Sequence, residues 1–398
     1  MFTILLIIIY LSFISLGLPD SLLGAAWPAM QMSLGLPVSA AGILSITVSA
    51  GTVVSSLMST RLIRKFGTGV LTSVSVAITA ISLLGFGLSQ SLFVLCLCSI
   101  PLGLGAGTVD AALNNFVALH YTARHMNWLH CFWGVGATVG PSIMSFWLAK
   151  NNNWSAGYLA IALLQFALVA VLFISVPLWK KVSSLKSAQA GEEDSNAEEI
   201  INVPLFRAFK VKNAFAALFA FFFYCSVEAT AGLWIGSYAV EKYAVSTETA
   251  AVWTSVFFFG ITAGRFVSGL AADKLSTKAL IRAGEFGIIA GVAVMLLPLP
   301  EWKLPLAALV LGVSCAPIFP SMIHRTPQVF GKARSQSMMG MQMAFAYIGT
   351  TAMPPLFGLT AEYISISSLP IYMLVCAVFM AICCEYVSRS AGAVSVDK

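Results

Sequence analysis

The chain has 398 residues; 59% are hydrophobic, only 10% are charged, and the mean hydropathy is +0.89. Soluble domains carry about 25% charged and about 45–50% apolar residues, so a cytosolic enzyme, a secreted domain and a disordered chain are excluded together. The net charge of +6 does not point to nucleic acid either, because the basic residues fall in short loops and read as membrane topology.

Crossing a bilayer takes about 20 apolar residues per helix. Apolar stretches bounded by charge or by Pro, Gly and Asn clusters predict spans near 3–30, 39–60, 69–88, 92–119, 126–149 and 156–179. A second set is predicted near 213–239, 249–270, 278–298, 303–323, 337–360 and 368–388. The run from Phe2 has no basic n-region and no small-residue cleavage site, so it reads as the first span and not as a signal peptide. Between the sets lies Lys180–Lys212, with basic ends and an acidic middle (Glu192, Glu193, Asp194, Glu198, Glu199). The expected fold class is an all-α membrane protein of twelve transmembrane helices in two pseudo-symmetric six-helix bundles. Residues 1–179 form one bundle and 180–212 a cytoplasmic linker. Residues 213–398 form the other bundle, with a short tail.

Lys and Arg set the orientation. With twelve spans, 18 of the 22 fall on one side, among them Arg61, Arg64, Lys65, Arg124, Lys278, Arg282 and Arg325. The other side holds only Lys150, Lys242 and Lys303, and Arg265 lies within a span. The positive-inside rule then puts both termini and the linker in the cytoplasm. The expected location is the cytoplasmic (inner) membrane, as a monomer.

The halves repeat weakly. Asp20 in span 1 matches Glu228 in span 7, Arg61–Gly67 matches Gly269–Lys278, and Trp128–Pro141 matches Met341–Pro354. Repeated halves about a membrane-normal axis are the mark of a transporter with its substrate site at midplane. The eight Cys all lie in apolar runs without metal-ligand spacing, so packing thiols are expected, with no metal and no cofactor.

Polar residues inside spans carry the chemistry, because a charge at mid-span costs roughly 2.5–3.5 kcal/mol on insertion scales. Three carboxylates qualify: Asp20, Asp110 and Glu228. Glu285 and Glu385 lie nearer helix ends, and the expectation is that they reach headgroups. Asp20 follows Pro19, which breaks the helix and frees backbone groups. Asp110 ends a Gly-rich run, Gly103–Asp110, and shares a helix face with Asn114. That pairing suits hydroxyl binding and proton uptake, so Asp110 and Asp20 are the expected proton-coupling residues. Asn114, Asn115, His130, Trp133, Glu228, Trp234 and Gln342 are substrate-binding candidates, the two Trp as stacking surfaces for a sugar. Arg265, Asp273 and Lys274 form a candidate gating cluster at the cytoplasmic end of span 8. No selectivity-filter repeat or nucleotide loop argues for a channel or an enzyme.

On these features the chain resembles the major facilitator superfamily over nearly its whole length. Gly269–Lys278 is similar to the superfamily's loop motif, with Asp273 at its acidic position and Ser276 where Gly is usual. Thr60–Gly67 departs further, with Arg64 at the acidic position. Leu18-Pro19-Asp20 with Pro28, Gly103–Asn114, Leu129–Gly136 and Gly264-Arg265-Phe266 most resemble the fucose–galactose–glucose symporter branch. The resemblance implies that Asp20 and Asp110 stand where the fucose symporter's proton-coupling and sugar-binding acids stand. It also places Asn114 at the branch's Asn and His130 at its span 5 Gln, which is a departure. The expected activity is alternating-access symport of a small polar solute, a sugar foremost, with a proton; sodium is the alternative ion. A proton-antiporting exporter of drugs or metabolites is the rival.

Overall fold

A chain this apolar satisfies its backbone in lipid only as helices or as a closed barrel, and here it is helices. The computed structural model describes residues 2–121, 123–189, 211, 213–271 and 274–394, and no strand occurs among them. In chain order the helices are α1 (Phe2–Asp20), α2 (Leu22–Leu34), α3 (Ala40–Phe66), α4 (Thr68–Leu88), α5 (Leu92–His120), α6 (Ala123–Leu148) and α7 (Trp154–Gln189). They continue with α8 (Ala214–Tyr243), α9 (Thr247–Ala271), α10 (Thr277–Leu296), α11 (Lys303–Cys315), α12 (Ile318–Phe330), α13 (Lys332–Thr360) and α14 (Leu369–Val394).

Two crossings are broken helices. α1 and α2 meet at Ser21, just past Pro19, and together form one apolar run, Phe2–Leu34. α11 and α12 meet at Ala316–Pro317 and form the run Lys303–Phe330. One continuous apolar stretch, Met338–Arg389, is 52 residues long. At 1.5 Å per residue it would extend about 78 Å, far beyond a hydrocarbon core of about 30 Å. A π turn at Ala361–Ser365 and a 3-10 turn at Ile366–Ser368 divide it into α13 and α14. The described residues therefore hold twelve crossings, in the expected order. α7 is longer than its predicted span: its 36 residues run through Lys180 and Lys181 to Gln189. The start of the expected linker is therefore helical, and residues 190–210 and 212 lie outside the described residues.

The chain divides into two compact units. The first comprises α1–α7 together with Ala239–Ser255; the second comprises the rest of α8–α14. In the first, α1 packs on α6, α3 on α5, and α4 on α5 and α7. Leu5, Ile9, Phe13, Val109, Leu113, Phe116 and Leu129 form its core. Ser255 donates to the Thr138 carbonyl (2.7 Å) and lies 2.9 Å from the Ser142 hydroxyl, tying the start of α9 to α6. In the second unit α10 packs on α11, α12 and α14, and Ala217, Leu218, Phe330, Met338 and Met341 cluster. Large apolar side chains such as Leu57, Ile174 and Phe286 point outward and are exposed, as a bilayer-facing surface requires.

The α1–α6 crossing depends on two glycines. A Cβ on Gly17 would collide with the Trp133 carbonyl oxygen, and one on Gly136 with the Ile14 carbonyl oxygen. Only hydrogen at both positions lets the backbones approach this closely. The second unit repeats the device with Gly349, whose Cβ would meet the Phe222 carbonyl.

Candidate functional site

The close α1–α6 crossing explains why two separate sequence motifs work as one. Gly17 and Gly136 bring Pro19-Asp20 beside Trp133, and the indole Nε1–H donates to Asp20 Oδ2 at 2.7 Å. Asp20 ends α1 midway along the first crossing, and its side chain is accessible. His130 lies one turn before Trp133 on the same face of α6 and meets the Phe13 ring edge-on at 5.8 Å.

Pro19 has no N–H, so the carbonyl of Ser15, four residues earlier, loses its helical donor. Gln165 of α7 fills the gap: its Nε2 donates to the Ser15 oxygen at 2.8 Å, and its Oε1 accepts from Thr79 at 2.9 Å. Gln165 is 1% exposed. Sequence reasoning passed over it, although a lone amide within an apolar span is the same signal that singled out Asn114. It braces the bend that presents Asp20.

Asp110 lies in α5 in the same unit. Asn114 is one turn on, and its Nδ2 donates both to Asp110 Oδ1 (2.9 Å) and to the Asp110 carbonyl (3.0 Å). The amide donor expected to reach a ligand hydroxyl is thus spent on the carboxylate in this structure. Asn115 is exposed beside it. Among the described residues neither Asp20 nor Asp110 forms an ion pair.

The second unit treats its acid differently. Glu228 of α8 has Arg265 Nη2 at 3.9 Å from Oε1, while the Tyr224 hydroxyl donates to Oε2. The same hydroxyl lies 3.0 Å from the Cys315 carbonyl. Arg265, grouped with Asp273 and Lys274 in the expected gate, lies within α9 and opposite Glu228. Lys274 is exposed just after α9, and Asp273 lies outside the described residues.

Two further candidates stand apart from these groups. Trp234 is fully buried, gives its N–H to the Pro354 carbonyl at 2.9 Å and packs against Phe357. Its ring offers no open face in this structure. Gln342 is 3% exposed and accepts from Thr326 at 2.8 Å, beside a small cavity lined by Phe221, Met322 and Arg325.

The discounted acids divide. Glu385 is paired with Arg282 and Arg389. Glu285 does not reach the headgroups: it is buried, and its Oε1 has no hydrogen-bond partner among the described residues. The reason is that α10 packs against α11, α12 and α14, so its inner face is closed at that level. All eight cysteines are free thiols, and no metal-binding cluster occurs among the described residues.

Twelve crossings, mid-span carboxylates without countercharge, and helices broken at proline define a polytopic carrier. The chain belongs to the Major Facilitator Superfamily, whose family model matches residues 9–302 and 217–391; it is a membrane transporter. Among curated relatives it is similar to "Bypass of stop codon protein 6" of Saccharomyces cerevisiae, 26% identical over 404 residues, covering 93% of this chain and 79% of the relative. It is also similar to "Sodium-dependent glucose transporter 1" of Homo sapiens, 22% identical over 392 residues, covering 87% of this chain and 72% of the relative. Among solved structures it shares its fold with a D-xylose-proton symporter: TM-score 0.74, 13% identity, 94% of this chain and 96% of that one.

Proposed function

We propose that this protein is a proton-coupled symporter of a small polar solute, a sugar foremost, working by alternating access in the cytoplasmic membrane with both termini inside. One contrast carries the coupling assignment. Glu228 is neutralised by Arg265, whereas among the described residues Asp20 and Asp110 are held only by neutral donors, Trp133 and Asn114. An ionised carboxylate without a countercharge is costly inside a membrane. Asp110 and Asp20 must therefore be neutralised by a bound proton, or by another cation, when the carrier turns. Glu228 has no such need. The indole of Trp133 and the amides of Asn114 and Asn115, with His130 on the adjoining face, suit a polyhydroxyl solute. The relatives named for glucose and xylose support the sugar class.

Asp110→Asn fixes the neutral state. Labelled sugars from a panel of hexoses and pentoses are followed in proteoliposomes. Counterflow needs only that the loaded carrier reorients, so it should survive. Accumulation driven by a pH gradient needs the proton to be released, so it should vanish. If Asp110→Asn still accumulates sugar under that gradient, Asp110 is not the coupling residue, and the role passes to Asp20.

A further inference from the structure

The second unit holds a cavity of its own, at the end where α8 and α10 begin and α12 and α14 finish. It offers about 360 Å³ of empty space, part of it open to the surface. Its walls are mostly apolar; apart from the Cys384 thiol, the polar side chains lining it are Arg325, Thr326 and Gln342. Two of these have donors to spare. Arg325 gives Nη1 to the Ser388 hydroxyl at 2.9 Å, and among the described residues its Nε and Nη2 make no hydrogen bond and it forms no ion pair. Gln342 is 3% exposed, and its Oε1 accepts from Thr326 at 2.8 Å. That bond fixes which end of the amide donates, and among the described residues Nε2 has no partner. Donors left unmatched in so closed a place are costly.

The nearby acids do not answer these donors. Glu385 is taken by Arg282 and Arg389. Glu285, one turn beyond Ile281 of the cavity wall, is buried and forms no ion pair among the described residues. We propose that the cavity is a binding site for a short-chain monocarboxylate, separate from the sugar site. The carboxylate lies between Arg325 and Gln342, and the alkyl end lies against Phe221, Met322 and Val329. A guanidinium matches a carboxylate with two parallel donors, and apolar walls with a few convergent polar groups are the usual make-up of a ligand site. A dicarboxylate would press a second charge against apolar walls, which is costly; a neutral amide of the same shape would forgo the charge. The site uses neither Asp20 nor Asp110 and does not depend on the sugar reading.

The test measures equilibrium binding of butyrate, of its uncharged counterpart butyramide and of succinate to the full-length protein in detergent micelles. Wild type should bind butyrate about tenfold or more tightly than either of the others, equivalent to about 1.4 kcal/mol. Arg325→Gln should remove the preference over butyramide. Ala220→Leu, which fills the cavity from α8, should weaken butyrate about tenfold or more. A diazirine-bearing pentanoate should crosslink to the cavity wall of wild type, and excess butyrate should suppress the crosslink. Absence of butyrate binding, equal affinity for the three probes, or a preference that survives in folded Arg325→Gln overturns the site. So does unweakened butyrate binding in folded Ala220→Leu, as an apolar defect with no built site would give. If neither variant folds, the wild-type crosslink decides: attachment at the wall upholds the site, and attachment elsewhere in the chain overturns it.

Discussion

Replacing Gln165 with Leu isolates the energetic cost of the bend that carries Asp20. The substitution removes the donor to the Ser15 carbonyl and the acceptor for Thr79. Thr79 loses little, because its hydroxyl also bonds to the Val76 carbonyl at 2.8 Å. The Ser15 carbonyl loses its only replacement for the N–H that Pro19 lacks. A buried polar group left unsatisfied costs about 1–3 kcal/mol in proteins generally, but interhelical hydrogen bonds in membranes average about 0.6 and reach about 1.7 kcal/mol. The orphan created here has no helical alternative, so the upper part of the membrane range applies, about 1–2 kcal/mol. Pro19→Ala supplies the missing N–H, and in that background Gln165→Leu should cost much less. The assay is a double-mutant cycle on equilibrium unfolding of purified protein in mixed micelles, which isolates the pairwise part of the effect. A coupling of about 1 kcal/mol, with Gln165→Leu milder when Ala replaces Pro19, is expected. Additive costs, or a Gln165→Leu protein as stable as wild type, would refute the brace.

Trp133→Phe removes a hydrogen bond to a charged group, worth about 1.5–3 kcal/mol; sugar transport should fall by about tenfold or more while the protein remains folded, and unchanged kinetics would detach Trp133 from the site. Gly17→Val should prevent folding or expression, because no side chain fits against the Trp133 carbonyl; a well-folded, monodisperse Gly17→Val protein would contradict the crossing. Single Cys probes at Lys186 and Lys242, in a background without other reactive Cys, should label from opposite faces of the membrane, and labelling of both from outside intact cells would rule out the proposed orientation.

The spans were legible because the bilayer imposes one length and one polarity on every crossing. The predicted ranges 69–88 and 92–119 differ from Thr68–Leu88 and Leu92–His120 by a residue or so. α7 escaped because hydropathy marks where lipid ends, and a helix that continues into water past Lys180 leaves no apolar trace. The site was half legible. A mid-span charge is conspicuous in any sequence, so Asp20, Asp110 and Glu228 could be chosen without coordinates. Which of them has a countercharge could not, since Arg265 is remote from Glu228 in sequence and lies beside an obvious loop motif. Trp234 illustrates the opposite difficulty: an indole available for stacking and one fixed to a backbone carbonyl look the same in sequence. Glu285 was misread because distance from a helix end does not tell whether the neighbouring helices close over that face.

The overrun of α7 gives the molecule an external pointer. From Lys180 to Gln189 the helix continues for nine further rises, about 14 Å beyond the end of the apolar span. A rotation of the span by about 10° would carry the tip sideways by about 2 Å relative to the lipid boundary on that geometry. Small angular changes in the sixth crossing are therefore enlarged outside the membrane, where a spectroscopic label near Gln189 would register them without entering the lipid-embedded region.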